Sequence, residues 1–269
     1  MLRQRVVTAI LLMLVLVPAM VWLPQSGWAL FAALVIALGA WEWAALAGYA
    51  GRGRQAYGLA VFLLLVPPTL IHPELLQWSA PGWRAFLLGI YGLSALFWLI
   101  LVPLWLRRRW AVRGWSGLLL GLLVLLPAWL AIVQFRALGV LTLLAVLSIA
   151  WVADIAAYFT GRAFGKHKLA PAVSPGKTWE GVGGAVLGVL LFGFVVGPWP
   201  GVSPWAWALV LALLTGVSVV GDLFESLLKR LAGIKDSSQL LPGHGGILDR
   251  VDSLTAILPV SACFLLLLA

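Results

Sequence analysis

Charge is what this chain has least of. Only 10% of its 269 residues are Asp, Glu, Lys or Arg, against about 25% in an ordinary soluble domain. A water-soluble fold of this length cannot cover its surface with so few charges. Cysteine is nearly absent: the single Cys263 closes no intramolecular disulfide, offers no metal-ligand spacing, and reads as apolar filler. Acids are scarcer than bases, nine against eighteen, and the first 153 residues hold only Glu42 and Glu74. No internal repeat, no low-complexity linker and no Ser-His-Asp or Cys-His set for nucleophilic catalysis is found.

What remains is apolar. Hydrophobic residues make up 63% of the chain and the mean hydropathy is +1.06. Apolar runs repeatedly reach the roughly 17–25 residues that cross a bilayer as a helix. The chain is therefore expected to be an all-α, polytopic integral membrane protein with about nine transmembrane helices. The spans are placed at 6–23, 28–47, 57–71, 85–106, 115–133, 138–159, 182–198, 205–226 and 251–269. The start, MLRQRVVTAILLMLVLVPAMVWL, is long enough to read as the first span rather than a cleaved signal. Pro18, Pro67 and Pro127 fall inside spans, which membrane helices tolerate when neighbours satisfy the freed carbonyls. Tryptophans near span ends, such as Trp28, Trp83, Trp105, Trp110, Trp115 and Trp205, fit an interfacial belt.

The net charge of +9 and pI near 10.5 record topology and not a nucleic-acid partner. With the N-terminus cytoplasmic, sixteen of the eighteen Lys and Arg fall on the inner side, leaving Arg84 and Arg136 outside. The chemistry is unevenly spread. Asp154, Glu180, Asp222, Glu225, Asp236, Asp249 and Asp252 all lie between 154 and 252, and all five lysines lie between 166 and 235. The expectation is one membrane domain over 1–269, with 1–137 mainly scaffold and 138–269 carrying catalytic helices and cytoplasmic loops.

Three expected helix ends bring carboxylates to one membrane level. Asp154 lies about 8 Å inside the end of span 6 at helical rise. Asp222 and Glu225 close span 8, and Asp249 and Asp252 open span 9, each pair on one helix face at i, i+3. A carboxylate inside a membrane costs about 2.5–3.5 kcal/mol on the insertion scale, so it marks a functional candidate unless cations answer it. Local Lys and Arg can do so; Glu225 and Lys229 are an i, i+4 pair, and Asp249 has Arg250 beside it. A hard divalent ion can too, and Mg²⁺ takes one or two carboxylates plus phosphate oxygens.

Two inner loops flank these acids. The first, GRAFGKHKLAPAVSPGKTWEG, contains PGKT, but a Walker P-loop needs a glycine where Pro171 stands and a strand before it. What is left is a Gly/Pro turn presenting Ser174, Lys177 and Thr178 to an anion at a helix start, with Lys166 and Lys168 suited to lipid headgroups. The second, KDSSQLLPGHGGILDRVDS, places His244 between Gly243 and Gly245-Gly246, and glycine there admits close approach to the main chain. Lys/Arg mixed with Asp/Glu points to phosphoryl or nucleotidyl transfer, in which the protein mostly positions groups and neutralises charge. A transporter with an intramembrane acidic site, or another lipid-linked phosphotransferase, is the competing reading.

Residues 226–252, SLLKRLAGIKDSSQLLPGHGGILDRVD, resemble the motif of the phosphatidate cytidylyltransferase (CDP-diacylglycerol synthase) family. The matching positions are Ser226, Lys229, Arg230, Lys235, Asp236, Pro242, His244, Gly245, Gly246, Asp249, Arg250 and Asp252. Residues 174–181, SPGKTWEG, are similar to a second family segment, although some relatives carry a second Lys at the position of Gly176. The resemblance implies transfer of CMP from CTP to phosphatidic acid, giving CDP-diacylglycerol and pyrophosphate with Mg²⁺, a second cation being an option. It implies Asp222 and Asp249 as metal ligands supported by Asp252 and Asp154. Lys177, Lys229, Arg230 and Lys235 would hold phosphates, with Ser174, Thr178, Asp236, Gly245, Gly246 and Arg250 also contacting substrate. His244 would position substrate or carry protons. The partners implied are CTP, inner-leaflet phosphatidate and membrane lipids, at the cytoplasmic face of a bacterial inner membrane, and a homodimer is compatible with the family.

Overall fold

The structure is a computed structural model that describes residues 2–78 and 82–268. Ala269, the end of the expected last span, lies outside the described residues. The chain runs α1 (Leu2–Trp22), α2 (Gln25–Leu46), α3 (Arg52–Ile71), a 3₁₀ turn (Pro73–Leu76) and α4 (Arg84–Leu96). A π turn (Phe97–Leu101) carries α4 into α5 (Val102–Arg108). Then come α6 (Gly114–Leu138), α7 (Val140–Phe164), strands β1 (Lys168–Ala170) and β2 (Ser174–Thr178), α8 (Trp179–Val196), α9 (Pro204–Leu231) and α10 (Leu248–Leu268). Among the described residues, eight helical runs are long and apolar enough to cross a membrane, and α1 adds a shorter apolar stretch, Val6–Trp22. The protein is an all-α, polytopic membrane protein.

Two compact units form. The first comprises residues 1–87, 111–143 and 228–252. Its centre is α2, whose small residues let α3 and α6 approach closely, as membrane helix packing favours. A Cβ on Gly58 of α3 would lie 2.9 Å from the Ala37 carbonyl, and one on Gly117 of α6 would lie 2.7 Å from the Ala47 Cβ. Large aromatics fill the remaining space and spend their polar atoms on carbonyls. Trp43 Nε1 donates to Gly117 O at 2.8 Å, Tyr57 Oη to Leu118 O at 2.7 Å, and Trp129 Nε1 to Ala29 O at 3.0 Å. With no water inside a bilayer, such donors must find protein partners. Arg136, expected on the outer side, caps the last carbonyls of α1 by donating to Met20 O and Leu23 O.

The second unit comprises residues 88–110, 144–227 and 253–269. Gly184 and Gly188 of α8 face α7, where a Cβ would meet Thr160 at 2.0 Å and Ala156 at 2.7 Å. Phe224 of α9 is met edge-on by Phe97, Trp98 and Trp105 from the π turn and α5. The segment expected as a simple Gly/Pro turn is an antiparallel hairpin, with Lys168 opposite Thr178 and Ala170 opposite Ser174. Val173 at its tip is buried against Leu223 and Leu227 of α9, and this apolar seat holds the hairpin down.

Two helices run well past their expected ends. α7 continues to Phe164 and α9 to Leu231, past the expected 159 and 226. Asp154 therefore stands ten residues before its helix end and not five. Polar residues end an apolar run without ending a helix: Thr160 simply returns its hydroxyl to Ala156 O at 2.6 Å.

Gly121→Ala tests the close packing of the first unit. Its Cβ would lie 2.6 Å from Trp43 Cδ1 and 2.7 Å from the Tyr57 hydroxyl, so a loss of about 1–3 kcal/mol is expected on thermal unfolding in detergent. Gly89→Ala, which meets nothing within 4 Å, should not lower the midpoint.

Candidate active site

Within the second unit, α7, the hairpin, α8 and α9 line a half-open cavity of about 580 Å³. Asp154 enters from α7, Ser174, Lys177 and Thr178 from the hairpin, and Asp222 from α9. Lys177 Nζ lies 2.5 Å from Asp222 Oδ2, with both side chains about a quarter exposed (24% and 26%). Ser226, one turn further on, donates to Asp222 Oδ1 at 3.3 Å. The hairpin is held at its base as well as its tip. Trp179 N donates to His167 O at 3.0 Å, and the Glu180 carboxylate accepts from His167 N and pairs with His167 Nδ1 at 2.6 Å. Thr178 lines the cavity, and its Oγ1 also caps α8 by accepting from Gly181 N at 3.2 Å.

Glycine makes that join possible. A Cβ on Gly161 of α7 would come within 3.1 Å of Thr178 Oγ1, and one on Gly165 within 2.9 Å. The GRAFG run thus lets the hairpin strand lie against the end of α7 and fixes Lys177 above Asp222.

Within the first unit, the second cluster is built around Asp249, in the first turn of α10. Its Oδ1 takes the Lys229 ammonium at 2.5 Å, in a pair that is only 11% and 6% exposed. Its Oδ2 accepts from Ser237 N at 2.9 Å and Gly246 N at 2.8 Å, and Ser237 Oγ also lies 2.9 Å away. An acid here also suits the positive end of the helix. The tip between is a tight turn: His244 N donates to Leu241 O and Leu241 N to Gly245 O. Gly243 and Gly245 take φ of +75° and +81°, which side chains resist. Thr8 of α1 ties the tip down by donating to Pro242 O at 2.9 Å. His244 is half-buried, and its Nδ1 is enclosed without a hydrogen-bond partner.

The remaining candidates sit at the surface. Lys235, Asp236 and Arg250 are exposed, and Arg230 is exposed with a 3.4 Å bond to Ile234 O. Asp252 is half-buried, one turn after Asp249. The space that Gly245 and Gly246 leave free is occupied by the protein's own acids. A Cβ on Gly245 would meet Asp249 Oδ2 at 2.7 Å, and one on Gly246 would meet Glu42 Oε1 at 2.5 Å.

Glu42 carried no site role in the sequence reading. It is fully buried in α2, yet it accepts from Ser237 Oγ, Ser238 Oγ, Ile247 N and Leu248 N. The available signal was a lone acid inside an apolar span, which by itself marks a residue that answers something.

Among the described residues, no three His, Cys, Asp or Glu side chains converge as a ready-made metal cage. Asp154 and Asp222 in one cavity, beside a lysine, nevertheless suit Mg²⁺, which binds through one or two carboxylates and draws its other ligands from water and phosphate. Asp249 is engaged on both oxygens by its own chain.

A sequence profile of the cytidylyltransferase family matches residues 3–268. The chain is 46% identical over 276 residues to a phosphatidate cytidylyltransferase of Pseudomonas aeruginosa, covering 98% of this chain and 97% of that one. It is 36% identical over 299 residues to one of Haemophilus influenzae, covering 98% of each. One from Thermotoga maritima is 43% identical over 134 residues, covering 47% of this chain and 50% of that protein.

The two lysine–carboxylate pairs differ in burial, which sets their energetics. Removing one partner of a buried pair costs about 3–5 kcal/mol, because the other charge is stranded. Lys229→Met is therefore expected to lower the thermal midpoint strongly. Lys177→Met, whose partner keeps contact with solvent, should cost under about 1 kcal/mol. Equal losses would contradict the burial argument.

Proposed function

The chain belongs to the cytidylyltransferase family, and from that membership we propose that it transfers CMP from CTP to phosphatidate. The products are CDP-diacylglycerol and pyrophosphate, and the reaction serves phospholipid biosynthesis. The structural observation that supports this reading is the cavity shared by Asp154, Ser174, Lys177 and Asp222. A lysine held on a carboxylate, both partly open to solvent, is a charge pair that a phosphate can enter. The ammonium turns to phosphate oxygens while the carboxylate is left for a divalent ion.

The nucleophile is a phosphatidate oxygen, already ionised, so no strong general base is required. It forms a bond to the α-phosphorus of CTP as the bond to the β-phosphate oxygen breaks, and the electron pair leaves with pyrophosphate. The protein's task is to bind, align and neutralise. Lys177 and Ser174 hold phosphate oxygens in the cavity. Lys229, Arg230, Lys235 and Arg250 supply further positive charge at the α9–α10 loop, with Asp236 beside them. His244, with Nδ1 unpartnered, orients substrate or passes a proton.

The residues that would hold Mg²⁺ are Asp222 and Asp154 in the cavity. Asp249 and Asp252 are the other carboxylates able to offer oxygens to a cation once Lys229 is drawn toward phosphate. When bound, the ion polarises phosphoryl oxygens and neutralises the leaving group. We further read α1 as a ninth span with its N-terminus cytoplasmic. That places the reaction at the cytoplasmic face of a bacterial inner membrane, with phosphatidate from the inner leaflet; the one-sided Lys and Arg distribution supports it. A homodimer is the assembly we expect from the family resemblance. The family and its relatives do not favour the transporter reading.

The test is pyrophosphate release by the purified protein with phosphatidate, CTP and Mg²⁺, run against dCTP and the other nucleoside triphosphates. Release should require phosphatidate, stop with EDTA and return with Mg²⁺. Solute movement without pyrophosphate would overturn the assignment. Asp222→Asn and Asp249→Asn should each lower turnover by about 100-fold or more while the protein still inserts. Near-normal CTP consumption in both would sink the metal assignment. His244→Ala should fall short of the roughly 100-fold contributed by an acid–base residue, and no effect at all would leave it a loop residue.

A further inference from the structure

We infer that Glu42 is a positioning residue for the reaction: a buried anchor in α2 that holds residues 237–248 in the shape presenting Asp249 and Lys229. This rests on the reaction proposed above. Apolar packing alone gives α2 no reason to carry an acid, since a buried carboxylate costs more than a hydrophobic residue of similar size. Glu42 is 0% exposed, and its bonds all run to one distant segment, 195 to 206 residues away along the chain.

The geometry shows what those bonds fix. Oε1 accepts from Ser238 Oγ at 2.5 Å and Ile247 N at 3.0 Å. Oε2 accepts from Ser237 Oγ at 3.1 Å and Leu248 N at 2.7 Å. Two donors come from the start of the loop and two from its end, so one carboxylate closes the loop on itself. The Ile247 and Leu248 amides belong to the start of α10, whose first N–H groups lack helical partners. Glu42 thus caps α10 from another helix.

Ser237 carries the effect onward. Its hydroxyl lies within bonding distance of both Glu42 Oε2 and Asp249 Oδ2, yet it has one hydrogen to give. Its backbone N–H also reaches Asp249, and Asp249 in turn holds Lys229. The path from Glu42 through Ser237 and Asp249 to Lys229 is continuous. Gly246 is part of the same device, because a Cβ there would meet Ser237 Oγ at 2.0 Å as well as Glu42.

The experiment uses the full-length purified protein and Glu42→Gln, which keeps size but turns an amide N–H₂ toward the donors. Two readouts are compared at equal folded protein: trypsin cleavage after the exposed Lys235, and kcat against KM for pyrophosphate release. Loss of the two bonds at one carboxylate oxygen, with an amide N–H₂ now facing their donors, should speed cleavage at least about tenfold and lower kcat at least about tenfold, with KM for CTP moving less than about threefold. A lower thermal midpoint with kcat per folded molecule unchanged, or cleavage within about twofold of the natural protein, would reduce Glu42 to a packing residue. If Glu42→Gln does not fold, Ser238→Ala removes a single donor and should move both readouts about threefold; unchanged kcat there overturns the inference. If the natural protein itself releases no pyrophosphate, the reaction falls and the cleavage comparison alone decides the anchor.

Discussion

A carboxylate surrounded by hydrocarbon must be met by donors or cations, and this requirement organises the chain around its few acids. Glu42 is met by two serine hydroxyls and two amides, Asp249 by a lysine, a serine and a glycine amide, and Asp222 by Lys177 and Ser226. The degree of burial separates their uses. Where water is excluded, at Glu42 and the Asp249–Lys229 pair, the partners are numerous and the geometry is closed. Where solvent still reaches, at Asp222, the partners are fewer, Lys177 and Ser226, and each member of the lysine pair is about a quarter exposed. Burial thus separates the closed pairs from the open one.

Small residues and tryptophans make such a scaffold possible without soluble-protein chemistry. Alanine and glycine along α2, α3 and α6 bring backbones close, and Trp43, Tyr57 and Trp129 bond across to carbonyls. The glycines at 161, 165 and 181 do the same for the hairpin, allowing β2 to lie on α7 so that Lys177 stands at the cavity. Glycine in these clusters therefore serves two purposes: at Gly161 it admits a strand, and at Gly246 it admits the protein's own Glu42.

Much of the site could be read along the chain because its signals are local. Ser174 and Lys177 stand out as polar residues in a short loop, Asp222 and Asp249 as acids at the edges of apolar runs, and the glycine-flanked His244 as a tight turn. Their pairings could not be read in this way. Asp249 sits beside Arg250 in sequence, yet it takes Lys229, twenty positions back, because α10 opens toward the end of α9. Thr178, expected at the substrate, lines the cavity and also caps α8. The hairpin was hidden because Pro175 and Gly176 weaken any strand pattern, and it forms only because Val173 finds an apolar seat on α9.

The sequence by itself determined the solvent and the all-α architecture, since bilayer thickness translates directly into helix length. It also determined which loops carry charge, because a charged residue cannot be left in hydrocarbon without a purpose. Tertiary structure alone decided which acid answers which donor. Helix α2 and the loop before α10 are about two hundred residues apart, and no local pattern encodes which helix faces will meet. Glu42 became visible only once folding had carried Ser237, Ser238 and the first amides of α10 to it.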